Sequence, residues 1–157
     1  MTTRSEYSGM LRYESPLGWL RITSGAAGLR EIWFCDAEAD ATGDGDPGQP
    51  RPDAICLEAG KQLEEYFTGT RRSFDLPLDM TGTGFQRRVW SELLRIPYGR
   101  TISYRELSLR IGDVKAIRAV GHANGQNPLP IVVPCHRVIG SDGSLTGYGG
   151  GLWRKKY

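Results

Sequence analysis

The sequence predicts an α+β protein of two unlike halves, a strand-rich N-terminal domain and a mainly helical C-terminal one, on three observations. Residues 7–34 fall into short apolar runs divided by Pro-Leu-Gly and glycine-rich turns, the pattern of an antiparallel meander. From Thr83 onward the apolar residues recur at helical spacing instead. The charge changes with the period: residues 1–80 hold 8 Lys and Arg against 14 Asp and Glu, and residues 81–157 hold 12 against 4. A basic half beside an acidic one points to a polyanionic partner, although a solvated charged face would leave the same mark.

In the first half, Leu11 and Tyr13, then Trp19-Leu20-Arg21-Ile22, then Leu29 to Phe34 are the expected strands. Residues 36–52 are rich in Asp, Gly, Pro and Ala and read as a loop. Asp53 is placed to cap a helix running to about Phe67, with Cys56, Ala59, Leu63 and Phe67 on one stripe. Cys56 is then a small core residue, and Cys35, at a strand end, is also structural. Arg72 to Leu78 is a candidate last strand. Thr81-Gly82-Thr83-Gly84 marks the boundary between an N-terminal α/β domain over 1–80 and a C-terminal domain over 81–157.

The second half opens on a helix expected from about Thr83 to Ile96, with Phe85, Val89, Leu93 and Ile96 as its apolar stripe and Pro97-Tyr98-Gly99 as its stop. Ser103-Tyr104-Arg105-Glu106 has the capping-box pattern, and Tyr104, Leu107 and Ile111 line one side of the helix it starts. Gly112-Asp113 turns the chain into a second short helix, Val114 to His122 or a little beyond. Two short helices around a glycine turn in a basic region outline a helix-turn-helix. In the second helix Ala116, Ala119, Gly121 and Ala123 surround Arg118. Small residues let a backbone approach a narrow groove, and an arginine projecting from them can act as an intercalating finger.

Asn124-Gly125 ends that helix, and Gln126 to Pro130 leads into Ile131–Ile139, which reads as a buried strand. Cys135, His136 and Arg137 stand side by side in that apolar run. A cysteine attacks as the thiolate, and a neighbouring imidazole can take its proton, so Cys135 is the candidate nucleophile. Arg137 reads as a structural ion-pair partner, His122 as a surface or groove-facing residue, and Trp33, Trp90 and Trp153 as core. Downstream, Thr146-Gly147-Tyr148-Gly149-Gly150-Gly151 makes a poor core but a good wall for a planar ligand.

Composition removes several classes. The chain has 157 residues, 39% hydrophobic and 24% charged, which suits a globular protein with a real core. Its apolar runs fall short of the roughly 20 residues of a membrane span, and no apolar signal region follows Met1. Three cysteines without a Cys-x-x-Cys pair argue for a reducing compartment and against a disulfide framework. With only His122 and His136 as histidines, no metal site is expected. The expected location is cytoplasmic, or nuclear in a eukaryote.

Ile131–Ile139 with Pro134-Cys135-His136-Arg137 at its centre resembles the active-site signature of the O6-alkylguanine-DNA alkyltransferases, the methylated-DNA–protein-cysteine methyltransferases. The similarity extends through Ile102-Ser103-Tyr104, Arg118-Ala119-Val120-Gly121 and Asn127-Pro128, and downstream through Gly147-Tyr148 to Gly150-Gly151-Leu152, so it covers residues 83–153. Residues 1–80 resemble only the family's variable strand-rich domain.

The resemblance implies a single-use DNA-repair transferase without cofactor, probing the minor groove of double-stranded DNA as a monomer and flipping an O6-alkylguanine into a pocket. O4-alkylthymine is a further candidate substrate. By that resemblance Cys135 takes the alkyl group and His136 takes the thiol proton through water, a relay suited to neighbours on a strand that point opposite ways. Tyr104 donates toward the base, Arg118 fills the vacated stack, and Asn127 ties the helix-turn-helix to the active-site segment. Ala116, Ala119 and Gly121 meet the groove with Tyr104, while Pro130, Val138, Tyr148 and Gly149 line the pocket. Weak base-sequence preference is expected, since the minor groove carries a degenerate code.

Family members continue into a C-terminal helix whose glutamate orients the histidine. Here the sequence reads Trp153-Arg154-Lys155-Lys156-Tyr157 with no carboxylate after Asp142, so the expectation is either a C-terminal domain cut short or another group that polarises His136, and without that carboxylate a lower thiolate fraction. The alternative from a different class is a non-catalytic module that recognises alkylated DNA, and the presence of Cys135 speaks against it.

Overall fold

The computed structural model describes residues 8–35 and 51–140, and the chain divides into two compact units, Met1–Met80 and Thr81–Tyr157. The first unit is an antiparallel sheet in the order β1 (Gly9–Ser15), β2 (Gly18–Gly25), β3 (Gly28–Cys35), covered by helix α1 (Ala54–Phe67). Pairing of Leu11 with Ile22 and of Ile22 with Ile32 sets the register. Leu20, Ile22, Leu29 and Ile32 are buried, as are Cys56, Ala59 and Leu63 of α1. Gly28 has φ 149°, and a Cβ there would stand 2.6 Å from the Pro77 carbonyl oxygen, so the crossing of Pro77 over β3 requires glycine.

Asp53 caps α1 and reaches the sheet as well. One carboxylate oxygen accepts the Cys56 N–H at 2.9 Å, and the other accepts the hydroxyls of Ser24 at 2.6 Å and Ser8 at 3.1 Å. The Cys56 thiol donates to Ser24 Oγ at 3.3 Å, and burial pushes its pKa up to about 11, which makes it an inert core group at neutral pH.

Two expectations fail in this unit. Arg72–Leu78 forms no strand, only a single parallel bridge from Leu78 to Leu29. Pro77 has no N–H for a ladder, and the backbone of Asp75 is taken by the Gln62 amide, whose Nε2 donates to the Asp75 carbonyl at 3.0 Å while its Oε1 accepts the Asp75 N–H at 2.9 Å. Trp33 is not core but 58% exposed, because Ile32 takes the inward position and strand neighbours alternate. Its indole N–H donates to the Glu31 carboxylate.

In the second unit, Thr83 and Gln86 form a reciprocal capping box at the start of α2 (Gly84–Leu93). Val89, Trp90 and Leu93 are buried, and the Trp90 indole N–H donates to the Ala123 carbonyl at 2.9 Å. Strand β4 (Ile102–Ser103) runs into α3 (Tyr104–Ile111), where the Ser103 hydroxyl accepts the Glu106 N–H at 3.0 Å. The Glu106 carboxylate turns outward to accept from Arg110 at 3.0 Å, so only half of the expected capping box is built. Gly112 closes α3 at φ 96°, a left-handed cap that glycine adopts without strain. A 3-10 turn over Val114–Ala116, with Asp113 accepting the Lys115 N–H at 3.0 Å, precedes α4 (Ile117–Gly125). Helix α4 packs on both α2 and α3.

The expected strand over Ile131–Ile139 is not one element. Ile131–Val133 is a turn, Cys135–Arg137 a 3-10 turn, and only β5 (Val138–Ile139) is strand, pairing in parallel with β4. Pro134 cannot donate to a ladder, and Ile131 stands at φ 76°, a conformation a β-branched residue adopts only under constraint. Leu129 to Cys135 are all buried, so the apolar run reflects enclosure on every side rather than a pleat. No helix among the described residues is long and apolar enough to cross a membrane.

Candidate active site

Cys135 opens its 3-10 turn and is 3% exposed, while His136 and Arg137 are half-buried. Three sets of bonds brace the turn. On the approach, Asn127 Nδ2 donates to the Val133 carbonyl at 2.7 Å while its Oδ1 accepts the Leu129 N–H at 2.9 Å. At the candidate nucleophile, the Cys135 carbonyl accepts the Val138 N–H and, at 3.4 Å, Nδ2 of Asn124 from the last turn of α4. On the far side, Arg137 Nη1 donates to the Ile96 carbonyl at 2.7 Å and its guanidinium lies 5.7 Å from the centre of the Tyr98 ring. Among the described residues, a carbonyl and an aromatic face hold Arg137 where the sequence predicts an ion pair.

The β4–β5 pair brings Tyr104 to this region. Ile102 lies opposite Val138 and Ser103 opposite Ile139, and Tyr104 follows directly. The Tyr104 ring lies along α4, since a Cβ on Gly121 would stand 3.8 Å from its Cδ1. A large side chain at Gly121 would therefore meet the ring.

On α4 the helical period separates two faces. Val120, Ala123 and Asn124 are buried, while Arg118, Ala119 and His122 are exposed, Gly121 and Ala116 falling between. Ala123 thus belongs to the core and not to the small-residue face around Arg118. Pro130 and Val138 are buried beside the turn in sequence. Tyr148, Gly149 and Trp153 lie outside the described residues, as does the region after Asp142 that bears on a histidine partner.

Asn124 is the site residue that sequence reasoning missed, having been read as a helix end. Its signal was periodicity: it falls four residues after Val120, on the stripe that faces the core. Among the described residues no three His, Cys, Asp or Glu side chains converge on a point that could hold a metal ion. The second unit carries exposed cationic side chains, Arg87, Arg88, Arg105, Arg110, Lys115 and Arg118 among them. Arg87, Arg88 and Arg110 line one cleft of about 360 Å³ between α2 and the end of α3.

Comparison with known proteins matches both units. Residues 11–80 match the family model described as 6-O-methylguanine DNA methyltransferase, ribonuclease-like domain, and residues 84–157 match its DNA binding domain. A methylated-DNA–protein-cysteine methyltransferase of Mycolicibacterium paratuberculosis is 48% identical over 91% of this chain and 85% of its own length. One from Methanosarcina barkeri is 44% identical over 92% of this chain and 90% of its own. The crystal structure of Mycobacterium tuberculosis OGT in complex with DNA superposes with a TM-score of 0.80 at 43% identity, covering 92% of this chain and 86% of that one. Both domain models matched in order, together with relatives 44–48% identical over most of the chain, place this chain in the 6-O-methylguanine DNA methyltransferase family, which repairs DNA by transferring alkyl groups to a protein cysteine.

Proposed function

We propose that Cys135 is the alkyl acceptor, that O6-alkylguanine in double-stranded DNA is the donor, and that each molecule reacts once. The observation that carries this reading is the 3% exposure of Cys135. A duplex cannot press a stacked base against a thiol enclosed in this way, so the damaged nucleotide must leave the helix to meet it. The small exposed face of α4 suits approach to the minor groove, and Arg118 stands on it to fill the gap.

The sulfur attacks the alkyl carbon, the carbon–O6 bond breaks, and the electron pair leaves with guanine. The thiol proton passes to His136 and the Tyr104 phenol donates to the departing base. On a 3-10 turn successive side chains diverge by about 120°, so the Cys135–His136 transfer runs through water, as it would on a strand but from a different geometry. The thioether formed is stable, and no cofactor takes part. Pro130, Val138, Tyr148 and Gly149 are the proposed pocket residues, and O4-alkylthymine is a second substrate of the same chemistry. A reducing cytoplasmic setting keeps the thiol available, and a monomer suffices because every proposed group lies in one chain.

Intact mass after incubation with a duplex containing one O6-methylguanine tests the reading. One methylene equivalent should be gained, and lost in Cys135→Ala. Lesion-dependent binding with no mass change would instead make the protein a recognition module.

A further inference from the structure

Asn127 braces the approach to the nucleophile, but Asn124 reaches the nucleophile's own backbone. It is 2% exposed, and its Nδ2 donates to the Cys135 carbonyl at 3.4 Å. The reverse amide orientation would set two acceptors against each other, so the carbonyl dictates which end faces it. The amide oxygen is then left buried without a hydrogen-bond partner among the described residues.

As a purely structural choice this side chain is poor. The Cys135 carbonyl also accepts the Val138 N–H, so it would stay satisfied without the amide. The stranded Oδ1 is unfavourable, and an apolar residue of similar volume would suit a stripe that already buries Val120 and Ala123. A polar side chain kept where packing favours an apolar one marks a place where function overrides packing.

We infer that Asn124 is a positioning residue for alkyl transfer, fixing the peptide plane of Cys135 to the last turn of the helix that carries Arg118. The inference rests on the reading of Cys135 as the acceptor. The bond from Val138 comes from three residues away on the same short segment and moves with the turn. A second donor from a different element restrains that movement and sets the direction from which sulfur meets the alkyl carbon, a variable to which displacement rates are steep. The effect belongs to the rate at the thiol and not to affinity for DNA.

The test compares wild type with Asn124→Leu and Asn124→Ala, using O6-benzylguanine as free substrate and a lesion duplex as ligand. Wild-type protein that gains no adduct on Cys135 would remove the acceptor reading itself. With wild type labelled, Asn124→Leu should melt at or above the wild-type temperature and bind the duplex as wild type does. Its maximal inactivation rate should fall roughly tenfold, with the half-saturating concentration unchanged. Asn124→Ala guards against overpacking by leucine and should be slowed similarly. A wild-type maximal rate in either variant that retains its fold overturns the inference. So does a rate loss that only tracks a fall in folded fraction.

Discussion

Asp53 joins a helix start to a sheet through one carboxylate, and its titration follows from those bonds. Burial alone would raise its pKa, but donation from Ser24, the Cys56 N–H and Ser8 outweighs burial and holds the group below 3.8. A depressed folded value stabilises above the unfolded value and is lost as pH falls through the folded one. Wild type should therefore lose melting temperature below about pH 4 more steeply than Asp53→Asn, which is less stable at neutral pH. Parallel curves across that window would contradict the capping role. At the active site, Asn127→Ala removes the acceptor for the Leu129 N–H and one donor to Val133, and should cost about 1–2 kcal/mol in urea denaturation. The thiol of Cys135 should remain in place but react more slowly. The caps at Asp53 and Ser103 were legible because a cap is a local event, decided within three residues. The burial of Asn124 was legible in the helical period, but its partner was not, because that partner lies eleven residues on, across a turn that no local signal describes.

Among the elements, the helix-turn-helix depends on Gly112 at φ 96°. Gly112→Ala should lower stability by about 1–2 kcal/mol with little change in the reaction of free O6-benzylguanine, as thermal melts and single-turnover assays would register. An unchanged melt would mean that the turn relaxes. The exposed face of α4 makes a separate prediction: Arg118→Ala should slow repair in duplex DNA by tenfold or more, on the order of the loss of one well-placed contact, while sparing the free base. Equal losses on both substrates would remove the finger role. The helices were readable from period and caps, whereas the segment carrying Cys135 forms turns where its apolar run predicts a strand. A continuous apolar run signals burial on all sides, and Pro134 together with the left-handed Ile131 selects turns over a ladder. The same enclosure that hid the element type underlies the proposal that the substrate base must leave its stack to meet the thiol.

For the whole molecule, the change from strand period to helix period and from acidic to basic composition near residue 81 coincides with the division into compact units. The cationic exposed residues of the second unit should make duplex affinity fall steeply with salt, by about 0.9 in log–log slope for each phosphate contacted. Reaction with the uncharged free base should be nearly independent of salt, and a shared dependence would argue for salt effects on the fold instead. The most direct single measurement is a titration of the protein with excess duplex containing one O6-methylguanine, followed by peptide mapping. Repair should plateau at one lesion per protein molecule, with the added methyl group on Cys135. Continued turnover, or an adduct confined to Cys35 or Cys56, would contradict the assignment of Cys135 as a single-use acceptor.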